Sequence, residues 1–352
     1  MLFEDRSTGR RADIIFRPFC PGDGESFRRC IEDFYGDGYP YKEYLEEDFL
    51  LEKCASGKML VLCGVVEEGE IVSTSAVRLE DDFQGSALLM LRVVKEAYRG
   101  MGVGKVQEER LLEMAERRDG FASLYADVMT HDSVSQGSLA RRGFVHCGIR
   151  LMLYRNAVMV SQLALAQDGK MSQAVMCRRG NVDDVGMLYC HSEHAEEVCR
   201  IYQRLGVSCG IETGEMLPVR DRTVMSWKEE PLHHSSICRI RQVGRDFSDI
   251  LKQGMAKKCC QEDGTVLCYL NIRDQAAVYA YRKLHQMGFF FTGLKPLQTS
   301  EEYMLLAYIG KQKIPYGDIH LYGEGEELLA YIGKHRHMDE LTGDLPERSE
   351  LL

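Results

Sequence analysis

The sequence predicts a mixed α/β (α+β) fold arranged as two domains. Apolar segments of strand-like composition alternate with amphipathic segments, which indicates strands interleaved with helices. The chain has 352 residues, more than one compact unit needs and about right for two. A strand, a helix and a Gly-Phe pair occur within residues 121–144 and again within residues 266–289, which indicates an internal repeat.

The first half begins with elements that local composition defines well. Residues 14–18 predict a strand and residues 24–34 a helix. Two β-rich segments, 61–66 and 71–77, flank an acidic turn and predict a pair of strands. Residues 88–94 predict a buried strand, and a helix with an apolar stripe is expected from Val106 onward.

The run 99–105 joins that buried strand to the helix and holds three glycines, at every second position. Glycine takes positive φ and lets a ligand approach the backbone, so amides at the helix start can converge on an anion. A phosphate-binding loop is therefore expected. The Walker motif is excluded because Lys105 precedes Val106, and the spacing also excludes the dinucleotide fingerprint.

This loop resembles the acetyl-CoA pyrophosphate loop of the GNAT superfamily of N-acetyltransferases. The residues that carry the resemblance are, in order, Val94, Tyr98, Arg99, Gly102 and Gly104. A second block, a strand over 121–129 and a short helix that ends at Gly143-Phe144, is similar to the family's segment over the pantetheine arm. A chance glycine-rich turn is the alternative, but both blocks occur in the family's order. The resemblance covers residues 10–158.

The resemblance implies that each domain is a twisted mixed, mostly antiparallel sheet flanked by helices. In the second half, a strand over 266–272 and a helix over 274–287 repeat the pattern. The equivalent loop, 243–247, keeps only Gly244 and places Asp246 where a pyrophosphate would lie. Like charges repel there, so the second copy is expected to be a degenerate GNAT-like domain with a structural or substrate-shaping role.

The expected domain boundaries follow from these patterns and from a turn signal at residues 167–170. They are an N-terminal GNAT domain with the acetyl-CoA loop at 1–160, a linker at 161–175, a degenerate GNAT-like domain at 176–337 and a flexible tail at 338–352.

The resemblance further implies acetyl-CoA as co-substrate and direct attack of an amine on its thioester. Backbone groups of Arg92, Val93 and Val94 are then expected to pair with pantetheine. The other expected cofactor-binding residues are Arg99, Gly100, Met101, Gly102, Val103, Gly104, Lys105, Ser135 and Ser138, with Gln136 as a further candidate.

The family's usual catalytic groups are missing here. Position 139 is Leu, where family members often have a Tyr that acts as the general acid. Many members also have a Glu near the fourth strand as the base, but residues 86–94 contain no Asp or Glu. The nearest titratable groups are His131 and Asp127, and an imidazole titrates close to neutral pH. The alternative is that His131 only begins a helix beside an Asp132 and Ser133 cap.

The acceptor side is expected after the first helix, where tyrosines stand among acidic residues: Tyr39, Tyr41 and Tyr44 with Glu43, Glu46, Glu47 and Asp48. A solvated acidic helix is the alternative. The sequence predicts an acetyltransferase acting on a small-molecule or protein amine. A catalytically weak acetyl-CoA-binding regulatory or sensor module, acting on a protein partner, is the alternative function.

Charge and hydropathy limit the classes of partner that the protein is expected to bind. The net charge is −10 and the pI is about 5.6, which argues against nucleic acid and against aminoacyl transfer from tRNA. No apolar run reaches the roughly 20 residues of a membrane helix, and the N-terminus lacks a signal-peptide pattern, so a cytoplasmic protein without a membrane partner is expected. The oligomeric state stays open, a homodimer included.

The cysteines and histidines predict no metal site. Thirteen cysteines are scattered along a long chain, which favours reduced thiols. Residues 190–194 (Cys-His-Ser-Glu-His) are expected on a helix that runs to Leu205, with His191 and His194 on one face. Neither Cys-x-x-Cys nor His-Glu-x-x-His spacing occurs, so a solvated helical face is expected instead of a metal site.

Overall fold

A computed structural model describes residues 1–5, 8–36, 39, 41–118, 122–156, 169–256 and 263–342, with side chains up to residue 336. The chain divides into two compact units. The first unit is Met1–Ala126, and the second contains the described residues from Asp127 onward.

The first unit contains a sheet whose strands lie in the order β3-β4-β5-β6-β7. Neighbours pair antiparallel except β6 and β7, which are parallel. The strands are β1 (Leu2–Glu4), β2 (Arg11–Asp13), β3 (Ile15–Pro18), β4 (Met59–Val65), β5 (Ile71–Leu79), β6 (Ser86–Val94) and β7 (Ser123–Met129), and the helices are α1 (Gly24–Tyr35), α2 (Glu47–Ala55) and α3 (Val103–Glu116).

Apolar residues at helical spacing fix these helices on the sheet. Phe27 and Ile31 of α1 are four residues apart and fully buried, as is Leu50 of α2. Strand β4, which follows α2 in the chain, is buried at every position. On α3, Leu111 and Ala115 form the buried stripe. The sheet core therefore holds the junction between β6 and α3 in a fixed position.

The second unit contains strands in the order β12-β13-β14-β16-β15-β8-β9 and a separate parallel pair, β10 and β11. Within the longer order, only β13 and β14 are parallel. The strands are β8 (Phe144–Arg155), β9 (Lys170–Arg178), β10 (Asp184–Tyr189), β11 (Ser208–Glu212), β12 (Val224–Glu230), β13 (Ser235–Gln242), β14 (Thr265–Asn271), β15 (Phe290–Lys295) and β16 (Tyr303–Tyr308), and the helices are α4 (Ser133–Ala140), α5 (Ala195–Leu205), α6 (Phe247–Ala256), α7 (Ala277–Gln286) and α8 (Glu324–Thr342).

One succession of elements occurs twice along the chain. Strand β6 is followed by α3 and by its parallel neighbour β7, then by α4 and the antiparallel pair β8 and β9. Strand β13 is followed by α6 and its parallel neighbour β14, then by α7 and the antiparallel pair β15 and β16. This is the order that the internal repeat predicts.

Several element boundaries differ from the sequence-based expectation. Helix α3 begins at Val103 instead of Val106, because the last loop glycines belong to its first turn. Helix α4 ends at Ala140 and strand β8 begins at Phe144, where the sequence places the end of that helix. Strand β9 occupies residues 170–175 of the expected linker, whereas 161–168 lie outside the described residues. The backbone of helix α8 continues through residues 338–342, which belong to the expected flexible tail. Residues 343–352 lie outside the described residues.

The division into units falls at residue 126 and not at the expected 160. The reason is the pairing of β8, which joins β9 on one side and β15 on the other. The contact to β15 is made at Gly148 and Gly293, where a Cβ on Gly293 would lie 2.3 Å from the Gly148 Cα. Strand β8 is thereby fixed to the later strands.

Within the described residues, no helix combines the length and apolarity needed to cross a bilayer.

Candidate active site

Strand β6 leaves part of its edge without a strand partner on the β7 side. Its parallel pairing with β7 is confined to Ser86–Leu88 and Ser123–Tyr125. On its other side, pairing with β5 continues to Val94. The backbone of residues 89–94 therefore lacks a strand partner on the β7 side among the described residues, although the Val94 carbonyl oxygen accepts a hydrogen bond from Arg99. This stretch includes the expected pantetheine-binding positions Arg92, Val93 and Val94.

A strained residue marks the centre of this edge. Leu91 has a φ of +54°, which is unusual for a side chain of its size. The Thr74 hydroxyl donates a hydrogen bond of 2.8 Å to the Leu91 carbonyl oxygen, and both residues are buried. The pairing register with β5 shifts at the same place, as expected for a β-bulge. Sequence reasoning missed this bulge because no local pattern announces a positive φ at leucine.

The glycine loop alternates between exposed and buried positions. Gly100 and Gly102 are exposed and have φ values of +79° and +85°, with no atom within 4 Å of where a Cβ would stand. Met101 and Val103 are buried, only 8% and 1% exposed. The apolar side chains thus anchor the loop in the core, and the glycines leave open space above its backbone.

The start of α3 completes the loop. Gly102 is the N-cap residue in the left-handed conformation and, as a glycine, has no side chain with which to cap the helix. The first amides of an α-helix, here those of Val103 and Gly104, have no partner inside the helix. A Cβ on Gly104 would lie 3.2 Å from Val94, so this glycine allows the helix to approach β6. Amide donors and open space therefore coincide, which suits an anion.

The two arginines expected to bind cofactor have contacts within the protein. Arg99 Nε donates to the Val94 carbonyl oxygen at 2.9 Å, which ties the loop to the end of β6. Arg92 Nε donates to Glu108 Oε1 at 2.7 Å, and both side chains are mostly buried. The side chain of Arg92 is thus engaged within the protein, and the expected cofactor contact of this residue is through its backbone. The Glu108 partner was not foreseen.

The tyrosine-rich segment is only partly open to an acceptor. It forms a 3-10 turn over Lys42–Leu45 followed by α2, and not one acidic helix. Tyr41 is 44% exposed, but Tyr39 and Tyr44 are buried. Glu47 accepts hydrogen bonds from the amides of Gly22 and Gly24, at 2.7 and 2.9 Å. That carboxylate supports the start of α1 and is not an open acceptor-binding group.

In the second unit, Asp127 is held by an ion pair. Its Oδ2 lies 2.6 Å from Arg150 Nη1, and the two side chains are 10% and 11% exposed. Breaking such a pair leaves an uncompensated buried charge. A structural role is the simpler explanation of this carboxylate, which weakens its candidacy as a proton acceptor.

His131 lies immediately before α4 and is half-buried. Burial lowers the pKa of His131, so the neutral imidazole predominates at pH 7. The next residue, Asp132, caps α4 by accepting a hydrogen bond of 2.9 Å from the Ser135 amide. His131 therefore occupies the helix-start position of the alternative interpretation and also has the protonation state that a base needs.

The expected cofactor residues of α4 have partners of their own. The Ser138 hydroxyl accepts a hydrogen bond of 2.9 Å from Arg142. Gln136 is fully buried, and its amide group bonds the backbone of His320 and Tyr322, at 3.1 and 3.0 Å. Gln136 is thus a structural link to the later chain. Ser135 donates its amide to the cap, and its hydroxyl stays an expected cofactor-binding group.

The second strand–loop–helix junction, residues 243–247, has its backbone donors occupied. The amides of Val243, Gly244 and Arg245 donate to the Asp274 carboxylate, the Thr223 hydroxyl and the Arg220 carbonyl, at 3.1, 3.0 and 2.9 Å. The Asp246 carboxylate, expected to repel a pyrophosphate, accepts a hydrogen bond of 2.7 Å from the Thr223 amide. Residues 220–223 therefore fill the space that a ligand would need.

A cavity of about 430 Å³ lies next to this junction. Three arginines line it, and acidic residues in the same lining pair with two of them. Arg220 Nη1 lies 3.2 Å from Asp274, and Arg241 Nη2 lies 2.7 Å from Glu301. This mutual neutralisation makes the cavity a poor match for a doubly charged pyrophosphate.

Comparison with known proteins agrees with the location of the loop. Residues 25–144 match the model of the acetyltransferase (GNAT) family. The match begins in α1, includes the glycine loop and ends at Phe144. The chain thus carries a GNAT acetyltransferase domain. A search of curated proteins gives no match.

Solved structures with similar folds include three acetyltransferases. A putative GNAT acetyltransferase from Desulfovibrio desulfuricans is 13% identical, with a TM-score of 0.39, and the match covers 47% of this chain and 99% of the other. The ribosomal-protein-S18-alanine N-acetyltransferase of Escherichia coli is 17% identical, with a TM-score of 0.36 and coverages of 47% and 92%. Arabidopsis thaliana NAA60 in complex with acetyl-CoA is 15% identical, with a TM-score of 0.37 and coverages of 47% and 97%.

Proposed function

We propose that the first unit binds acetyl-CoA at residues 99–105 and that the protein transfers the acetyl group to a primary amine. The observation that carries the proposal is the loop itself. Gly100 and Gly102 leave open space above a backbone that leads into the uncapped start of α3. The helix start favours a pyrophosphate, because amide hydrogens and the positive helix end attract negative charge. The family match over residues 25–144 supports the same assignment.

The reaction is a direct acyl transfer. The amine nitrogen attacks the thioester carbonyl carbon, a C–N bond forms, the C–S bond breaks, and CoA leaves as a thiolate. The amine loses one proton to a base, and the thiolate gains one proton. We infer that the open edge of β6 at residues 92–94 pairs with the pantetheine amides and aligns the thioester for attack.

We propose His131 as the group that moves a proton, since Leu139 has no ionisable group and Asp127 is paired with Arg150. His131→Ala should lower turnover by roughly 10²- to 10⁴-fold and leave CoA affinity nearly unchanged. Because burial lowers the pKa of His131, the rate of the natural protein should fall as pH drops below the ordinary histidine range, and the variant should lose this limb. His320→Ala removes a nearby exposed ring whose charge also lowers the pKa of His131, so it should retain turnover and move this limb to slightly higher pH.

Three outcomes would contradict the role of His131. Normal turnover in His131→Ala would leave the residue as a helix start. A parallel loss of CoA binding and turnover would place it in the cofactor wall, because loss of uniform binding is not loss of chemistry. An unchanged pH profile would point to another proton carrier.

The decisive experiment for the function measures binding and turnover separately. Calorimetry with acetyl-CoA should give saturable binding, and a panel of small amines and peptide N-termini should include one that releases CoA thiol and gains an acetyl mass. Absence of binding would overturn the proposal. Tight binding without turnover on any acceptor would overturn the enzymatic half and favour the regulatory alternative.

A further inference from the structure

The second unit gathers histidines around one carboxylate. Glu193 belongs to a 3-10 turn, Ser192–His194, that precedes α5, and His335 belongs to α8. His335 Nδ1 lies 2.9 Å from Glu193 Oε1, and His194 Nε2 lies 3.8 Å from Glu193 Oε2. His191 Nδ1 lies 3.9 Å from the same Oε2. Three histidines thus each have a ring nitrogen within 4 Å of the Glu193 carboxylate.

A hydrogen-bond chain orients the ring of His194. The Tyr331 hydroxyl donates to the Glu193 carbonyl oxygen at 3.0 Å, so its oxygen accepts from His194 Nδ1, 2.8 Å away. This assigns the proton of His194 to Nδ1 and leaves Nε2 as an acceptor, 3.8 Å from Glu193 Oε2. Histidines that bind metals are commonly fixed in this way, by a partner on the other ring nitrogen.

His191 offers a further donor beside this carboxylate. Its Nδ1 is buried, lies 3.9 Å from Glu193 Oε2 and has no hydrogen-bond partner among the described residues. Imidazole nitrogens and carboxylate oxygens are ligands that zinc commonly takes.

We propose that Glu193, His194 and His335, with His191 as the fourth ligand, form a zinc site that ties α8 to the start of α5. The donor atoms of Glu193, His194 and His335 all lie within 4.8 Å of one another. Tetrahedral zinc with bonds of about 2.0–2.1 Å holds its ligand atoms about 3.3 Å apart, so side-chain movements of up to about 1.5 Å bring these three donors to that spacing, and His191 must turn toward them. The sequence places three of these residues within 191–194 but does not link them to His335, which is 142 residues from Glu193.

One contact competes with the metal and provides a sharp test. The Tyr281 hydroxyl lies 2.6 Å from His194 Nε2, on the lone pair that zinc would use. Tyr281→Phe keeps the ring and removes only this competitor. The variant should therefore bind zinc about fivefold more tightly, the factor expected for losing one ordinary hydrogen bond. If His194 served only the tyrosine network, the substitution would leave zinc affinity unchanged.

The experiment uses full-length, reduced and chelator-treated protein titrated with Zn²⁺ against a chromophoric competitor. The thirteen cysteines bind zinc too, so the difference between variants defines the site. Glu193→Gln and His335→Ala should each lose one zinc equivalent, or weaken it by more than about 100-fold, whereas the control His320→Ala should retain it. Mg²⁺ should not compete. Circular dichroism verifies that each variant is folded.

Two spectroscopic results discriminate further. Co²⁺ at this site should give tetrahedral visible bands that disappear in His335→Ala, without the sulfur charge-transfer band that thiol sites produce. Zinc should slow amide hydrogen exchange of α8 in the natural protein and not in Glu193→Gln. Equal zinc stoichiometry and affinity in the natural protein, Glu193→Gln and His335→Ala would overturn the proposal, as would cobalt bands of purely thiolate character.

Discussion

The two strand–loop–helix junctions share a topology and use their backbone amides in opposite ways. At residues 99–104, Gly100 and Gly102 have open space above them, and no side chain caps the helix that follows. At residues 243–247, the amides are occupied by Asp274 and by residues 220–223. A Cβ on Gly244 would lie 2.2 Å from the Arg222 carbonyl carbon, so no space remains.

The difference shows that an anion site depends on what covers the loop as much as on its glycines. The second junction keeps a strand, a turn and a helix start, but another part of the chain occupies its donors. Charge repulsion by Asp246, which the sequence suggests, is only part of the reason, because that carboxylate is engaged by the Thr223 amide. We therefore expect one CoA per chain.

The largest effect is expected at Gly102. Gly102→Asp places a carboxylate in the open space over the helix start and should weaken CoA binding more than 100-fold, to no measurable heat in calorimetry. Gly102→Asn is the matched control, because it has the same shape and the same demand for positive φ without the charge. Similar affinities of the two variants would show that the pyrophosphate does not bind here. Residual saturable binding by the Asp variant would indicate a site at the second junction.

Adding a Cβ should reduce the free energy of unfolding much more at the second junction than at the first. Gly244→Ala collides with backbone, which cannot rotate away, and should reduce the free energy of unfolding by about 3 kcal/mol. Gly104→Ala meets only the Val94 side chain, at 3.2 Å, and should change it by less than about 1 kcal/mol. Urea unfolding of the two variants measures the contrast. Equal costs would mean that residues 220–223 do not cover the second loop tightly.

Removing the Asp246 carboxylate should loosen the second junction without converting it into a cofactor site. Asp246→Ala leaves the Thr223 amide without its acceptor, at a cost of about 1–2 kcal/mol in unfolding free energy, and Asp246→Asn should recover part of it. The number of CoA molecules bound should stay at one. A second equivalent in Asp246→Ala would show that charge alone closes this junction.

Local patterns predict what depends on neighbouring residues. The strands near residues 61–94, the first helix and the glycine loop follow from composition and spacing, and the structure has them within a few residues. The Thr74 hydroxyl on Leu91 and the Glu108 partner of Arg92 could not be predicted, since each joins residues 16 or 17 positions apart without a periodic signal.

The position of the unit boundary and the covering of the second junction could not be predicted from local patterns either. Strand β8 joins β15 through Gly148 and Gly293, a contact between positions that no local pattern relates. Residues 220–223 contain no motif that foretells their position over residues 243–247. In both cases a distant segment decides the outcome, and sequence spacing does not report such contacts.

The close contact of Gly148 with Gly293 has a practical consequence for handling this protein. Strand β15, with Phe290 and Phe291, is protected by β8 along one edge. A fragment cut at the expected linker would begin after β8 and expose that apolar edge, and unprotected edges recruit further strands. Such a fragment should precipitate, or it should form oligomers that light scattering detects. Fusion to a solubilising partner would keep the fragment in solution but would leave the edge of β15 unpaired.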